Sequence, residues 1–104
     1  MTNIAAIRTA AARLDGHAAL TPLLNAPLLD RIAGRRILVK AECLQRTGSF
    51  KYRGARAALT LLPPGIRGVL AFSSGNHAQG VALAASELGL ATVILMPNDA
   101  PAVK

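Results

Sequence analysis

Aromatic side chains are almost missing from this sequence: one tyrosine, two phenylalanines and no tryptophan in 104 residues. A core drawn from it has to be aliphatic, built from Ala, Leu, Val and Ile. That suits α/β layering, where buried strands read as aliphatic runs. The length admits one small domain at most. Cysteine is reduced to Cys43, which excludes an internal disulfide framework and fits a reducing compartment, so a cytoplasmic location is expected. No apolar run is long enough for a membrane span, and no membrane partner is expected. The N-terminus lacks the basic-then-apolar order of a secretory signal. Acidic residues are scarce, five against twelve lysines and arginines, for a net charge of +7. Such an excess can signal nucleic acid. Here the nine arginines are spread from Arg8 to Arg67, with Arg35-Arg36 the only adjacent pair, and no aromatic platforms are interleaved for bases. No nucleic-acid partner is expected, and the balancing acids are expected elsewhere in a longer protein. The available Cys, His and carboxylates show no metal-ligand spacing, so no metal site is expected.

What is present is a regular alternation of elements. Ile4, Ile7, Ala11 and Leu14 recur at helical spacing, so residues 3–14 predict a helix stopped by Gly16. "TPLLNAP" predicts an extended segment. "PLLDRIAG" predicts a short helix with Pro27 in its first turn and Gly34 as its stop. "RILVKAE" (36–42) reads as a strand, "LQRTGS" as a polar loop, and "FKYRGARAALTLL" (50–62) as a helix stopped by Pro63-Pro64. "GVLAF" (68–72) reads as a buried strand and "SSGNHAQG" as a loop running into the helix "AQGVALAASELG". "ATVILMP" (91–97) reads as a second buried strand. Strand, loop, helix and strand make a parallel βαβ unit. So few strands leave edges and faces uncovered, so the chain reads as the front part of something larger, with no internal domain boundary.

Two loops carry the chemistry. In "TGSFKYRGA" (47–55) Lys51, one of three lysines with Lys40 and Lys104, falls in the first turn of its helix behind Ser49, a plausible N-cap. Unpaired N–H groups there disfavour an ammonium, and partial burial against Phe50 acts in the same direction. Both favour a neutral amine, the nucleophile that forms a Schiff base. The same spacing also fits a surface lysine whose stem covers apolar surface. In "SSGNHAQG" (73–80) serines, a glycine and Asn76 lie between a strand and a helix start. Backbone N–H groups there suit a carboxylate or phosphate, although Ser and Asn are favoured at any helix start. No GxGxxG or P-loop fingerprint is present. His77 reads as packing at the start of its helix, with a role as base or ligand the alternative. His17 reads as solvent-facing without a partner, and Cys43 as structural or incidental.

"KAECLQRTGSFKYRGA", then "SSGNHAQGVALAA", then "MPNDAPAVK" resemble the pyridoxal-phosphate-dependent threonine dehydratase and serine racemase family, related to tryptophan synthase β chains. "TPLL" at 21–24 matches that family's start, and the resemblance runs from Thr21 to Lys104. It implies a partial three-layer parallel-sheet α/β fold of the tryptophan synthase β-like type, of which residues 1–104 are the N-terminal portion. It implies pyridoxal 5'-phosphate as cofactor, bound as a Schiff base to Lys51. Phe50 would lie beside the ring and Asn76 would bond its 3-hydroxyl. Ser73, Ser74, Gly75, Asn76 and His77 would hold the α-carboxylate of a small amino-acid substrate. Lys51 would also take the α-proton, giving β-elimination of threonine or serine to a 2-oxo acid and ammonia. Many dehydratases of the family carry alanine at the position of Ser74. Serine there resembles the serine racemases and hydroxyaspartate dehydratases, where it acts as acid/base on the face opposite the lysine. In the family the glycine-rich loop for the cofactor phosphate lies beyond the position of Lys104. The 104 residues alone are therefore expected to be inactive, and the parent is expected to be a homo-oligomer.

Overall fold

The computed structural model describes residues 3–102; the last two residues of "MPNDAPAVK" lie outside them. Helix α1 spans Ile4–Leu14, with the Asn3 side chain accepting from the Ala6 N–H as its cap. Strand β1 is Leu23–Asn25, and helix α2 is Pro27–Ala33. Helix α2 starts on proline and stops at Gly34, whose φ of 63° is the left-handed conformation that glycine adopts without a Cβ penalty. Strand β2, Leu38–Lys40, pairs antiparallel with β1, Leu24 opposite Val39. The expected strand 36–42 is therefore shorter. The Asp30 carboxylate takes the Ile37 N–H at 2.7 Å and Asn25 Nδ2 at 2.9 Å, ending the ladder below Leu38. Those two bonds, Asn25 foremost, also hold the Asp30 pKa below its ordinary value.

Beyond β2 the "LQRTGS" loop is more ordered than its composition suggests. It forms two short 3₁₀ turns, Glu42–Leu44 and Arg46–Gly48. The buried Gln45 side chain ties them back to the N-terminal segment, accepting from the Ala19 N–H and donating to the Ala19 carbonyl, both at 2.9 Å. Thr47 sits at φ 63°, an unfavourable region for a β-branched residue, immediately before the lysine-bearing helix.

Helix α3 is Lys51–Leu59, three residues shorter than the prolines alone imply. Its end tightens through i to i−3 bonds from Leu61 and Leu62 before Pro63 is reached. Strand β3 (Gly68–Phe72), helix α4 (Asn76–Glu87) and strand β4 (Ala91–Leu95) form the expected parallel βαβ unit, Leu70 opposite Val93. Helix α4 begins two residues earlier than expected, so Asn76 and His77 belong to its first turn.

The core is small and lies between α3, α4 and one face of β3–β4. Tyr52, Ala55, Ala71, Val81 and Ala84 are buried together, with Leu59, Val69, Leu83 and Ile94 around them. Neither strand is buried on both faces, as "buried strand" implied. Leu70 and Phe72 are 69% and 74% exposed, and Val93 and Leu95 share their open face. Among the described residues the sheet is covered on one side only. No helix among them is long and apolar enough to cross a membrane.

Candidate active site

The two loops converge because α3 and α4 touch at a glycine. A methyl group built on Gly80 would lie 3.0 Å from the Lys51 carbonyl carbon and 3.0 Å from the Tyr52 nitrogen. Only a residue without a Cβ allows this approach. Farther along, Glu87 of α4 meets Arg56 of α3, so the contacts advance along both helices in the same direction. Asn76 is one turn before Gly80 on the same face of α4, roughly 6 Å along its axis. It therefore projects past the first turn of α3. Side chains on a helix lean toward its N-terminus, so Lys51 leans toward the same end. The loop 73–75 leaves the carboxyl end of β3 there and is pinned by the Ser73 N–H donating to the Leu95 carbonyl at 3.0 Å. The carboxyl end of a parallel sheet is where α/β folds bind ligands.

Lys51 is the first residue of its helix and half-buried, and its Nζ lies 5.0 Å from the centre of the Phe50 ring. Phe50 itself is largely exposed, an apolar surface beside the amine that a flat ring could cover. Ser49 does not cap the helix: its hydroxyl, on a residue 6% exposed, has no hydrogen-bond partner, and neither does the buried Thr47 hydroxyl. Residues 73–75 are half-buried, and the Ser73 hydroxyl accepts from the Gly75 N–H at 3.2 Å. No side chain caps α4, so its first-turn N–H groups and positive end face the same space as Lys51. A primary amine and an uncapped helix start fit the aldehyde end of pyridoxal phosphate and a carboxylate beside it.

His77 does not pack as expected; its side chain is exposed on the first turn of α4. His17 is not without a partner. Both its ring nitrogens lie 3.2 Å from Arg56 Nη2, on a residue only 5% exposed. Arg56 also donates to Glu87 at 3.1 Å. Glu87 accepts from the Tyr52 hydroxyl at 2.5 Å and pairs with Arg46 at 2.6 Å. Burial first, then the Glu87 bond, pushes the Tyr52 phenol above its ordinary pKa. A second network joins Thr21, Glu42 and Arg53. Arg53 donates to both Glu42 oxygens at 2.8 Å, and the Thr21 hydroxyl adds a bond to the same carboxylate. Apart from His17, sequence reasoning singles out no member of either network. The available signal was the scarcity of acids, since two of only five, Glu42 and Glu87, pair with three arginines and accept from two hydroxyls.

The Arg53 bonds, partly opposed by desolvation, lower Glu42 from 4.5 to about 2. A carboxylate depressed in the folded state contributes stability that is fully present above its unfolded value. That contribution is lost as pH falls from about 4.5 towards 2. With the side chain 17% exposed, its loss is on the order of 2 kcal/mol. We expect Glu42→Gln to flatten the acid limb of a stability-versus-pH curve in that window. Parallel curves for the two proteins would contradict it.

Residues 14–104 match the sequence profile of a family described as pyridoxal-phosphate dependent enzyme. Over 97 residues the chain is 54% identical to an L-threo-3-hydroxyaspartate ammonia-lyase of a Pseudomonas species, which aligns 91% of this chain with 30% of that protein. It is 41% identical over 104 residues to a serine racemase of Oryza sativa subsp. indica, covering 98% of this chain and 31% of the relative. The crystal structure of a pyridoxal 5'-phosphate-dependent aspartate racemase superposes with a TM-score of 0.90 at 41% identity, over 99% of this chain and 33% of that one. The chain thus spans about a third of the length of these relatives.

Proposed function

The chain belongs to the family of pyridoxal-phosphate dependent enzymes, and from that premise we propose that the full-length protein is an ammonia-lyase acting on small β-hydroxy amino acids. Threonine and serine are the first candidate substrates, and 3-hydroxyaspartate joins them through the Pseudomonas relative. The net reaction converts the amino acid into a 2-oxo acid and ammonium; the water lost in elimination is regained on hydrolysis. The observation that carries this reading is the packing of the Lys51 backbone against Gly80, one turn from Asn76 and its loop.

Pyridoxal phosphate, when bound, supplies an aldehyde for an amine and an electron-withdrawing ring. The chain's own residues do the rest. Lys51 Nζ would hold the aldehyde at rest and, once free, would accept the proton from the substrate α-carbon. Backbone N–H groups of the loop and of the first turn of α4, at the helix's positive end, would bind the α-carboxylate and fix the α-carbon's orientation. Asn76 would supply an amide to the ring hydroxyl. Phe50 would lie beside the ring, next to the amine.

Ser74 favours a second reading, racemisation, because its hydroxyl is placed in the carboxylate loop rather than on the lysine's helix. In the full-length protein, ammonia release should be assayed from serine, threonine and L-threo-3-hydroxyaspartate, with D-serine formation scored separately. We expect 2-oxo acid formation to dominate. Ser74→Ala should lower D-serine formation by about 10²-fold, the range for one acid/base group, and leave elimination within a few fold. Absence of a 2-oxo acid from all three substrates would sink the lyase assignment. Unchanged D-serine formation in the variant would remove Ser74 as an acid/base.

A further inference from the structure

Helix α3 presents Lys51 from a first turn that has no conventional fastening. No side chain caps it, and the Ser49 hydroxyl stands unpaired. The Arg53 N–H donates to the Phe50 carbonyl at 3.1 Å, but without a side-chain cap a first turn frays easily. Yet the amine at its head has to meet a fixed point near the loop 73–76.

The fastening comes from Arg53, two residues on and about 200° round the helix from Lys51. Its guanidinium grips Glu42 with both arms, Nε to one oxygen and Nη2 to the other, each at 2.8 Å. Nη2 also donates to the Ala19 carbonyl at 3.1 Å and lies 3.3 Å from the Thr21 hydroxyl. Thr21 is 4% exposed and donates in turn to Glu42, while Lys40 Nζ donates to the Thr21 carbonyl. The carboxylate is thus held on three sides, and the planar fork admits one orientation of the guanidinium. Packing of Tyr52 and Ala55 against α4 secures the opposite flank of the helix.

We infer that the Glu42–Arg53 fork, locked by Thr21, is a positioning device that sets the rotation of the first turn of α3 and so aims the Lys51 amine. The inference rests on the proposed role of Lys51, but its structural half stands apart from that role. Lysine at position 53 keeps the charge and loses the fork, so charge and geometry separate cleanly.

The test uses the full-length protein with Arg53→Lys and, as the milder change, Glu42→Gln. Amide exchange is followed over residues 50–56 and over α4 in the cofactor-free protein. Visible cofactor absorbance, kcat and KM are then measured after loading. We expect exchange over 50–56 to accelerate about tenfold while α4 is unchanged, as for a local opening. We also expect kcat to fall about tenfold or more with KM within twofold, because the amine is misplaced rather than the substrate site lost. Exchange and kcat equal to the parent's in both variants would overturn the proposal. So would uniformly faster exchange across α3 and α4 with kcat retained, which marks a merely structural pair. A parent protein with no visible cofactor band refutes the role of Lys51 instead, and the exchange data then still decide the clamp.

Discussion

Lys51→Ala is expected to abolish turnover in the full-length protein, lowering kcat by about 10³-fold or more, and to leave its stability nearly unchanged. In the proposed function one side chain has two tasks, holding the cofactor aldehyde and moving the α-proton, and alanine can do neither. Stability survives because an ammonium at a helix start is unfavourable by a few tenths of a kcal/mol, and alanine is a good helix former. Lys51→Arg should be as inactive, since it keeps the charge without a usable amine. Borohydride treatment of the loaded parent should leave a stable cofactor adduct on Lys51. Lys40 is the informative control, because its Nζ already donates to the Thr21 carbonyl at 2.5 Å and belongs to the Glu42 network. An adduct mapped to Lys40, or to no lysine, would remove the basis of the proposed function.

Both loops of this site are legible in the sequence because each is written in short-range chemistry. "TGSFKYRGA" announces a helix start with a lysine at its head, and "SSGNHAQG" a strand-to-helix turn rich in donors. The strand and helix order 68–95 is legible for the same reason: GVLAF and ATVIL are compact aliphatic runs around an alanine-rich helix, and the parallel pairing follows. What escaped was decided by long-range partners. Arg56 meets His17 across thirty-nine positions and Glu87 across thirty-one, and no local pattern announces either. Ser49 looked like a cap because serine usually is one; the turn through Thr47 and Gly48 leaves its hydroxyl buried and unpaired instead. Leu70 and Phe72 looked buried because period-two alternation is masked when both faces of a strand are apolar. The structure shows only the Val69 and Ala71 face covered.

Gly80→Ala should be costly for a change of one methyl group. The new Cβ would meet the Lys51 carbonyl carbon and Tyr52 nitrogen at 3.0 Å, and both are backbone atoms that cannot rotate aside. The helices have to separate or slide, and overpacking of this kind costs about 1–3 kcal/mol. Better helix propensity offsets about 0.5–1 kcal/mol of that, so a net loss of about 1–2 kcal/mol is expected. Gly54→Ala supplies the contrast: Gly54 is a helical glycine of α3 with nothing within 4 Å of its built Cβ. There the propensity gain stands alone, and stabilisation by about 0.5–1 kcal/mol is expected. Catalysis should separate the two further. Displacing α4 from Lys51 moves the carboxylate loop relative to the amine, and a shift approaching 1 Å lowers kcat by about 10²-fold. Gly54→Ala leaves that junction alone, and its kcat should stay within about twofold of the parent's. Thermal midpoints and kcat for the two variants, measured side by side, test the argument. If Gly80→Ala is as stable and as active as Gly54→Ala, the α3–α4 junction tolerates a methyl group and does not set the distance between Lys51 and its loop.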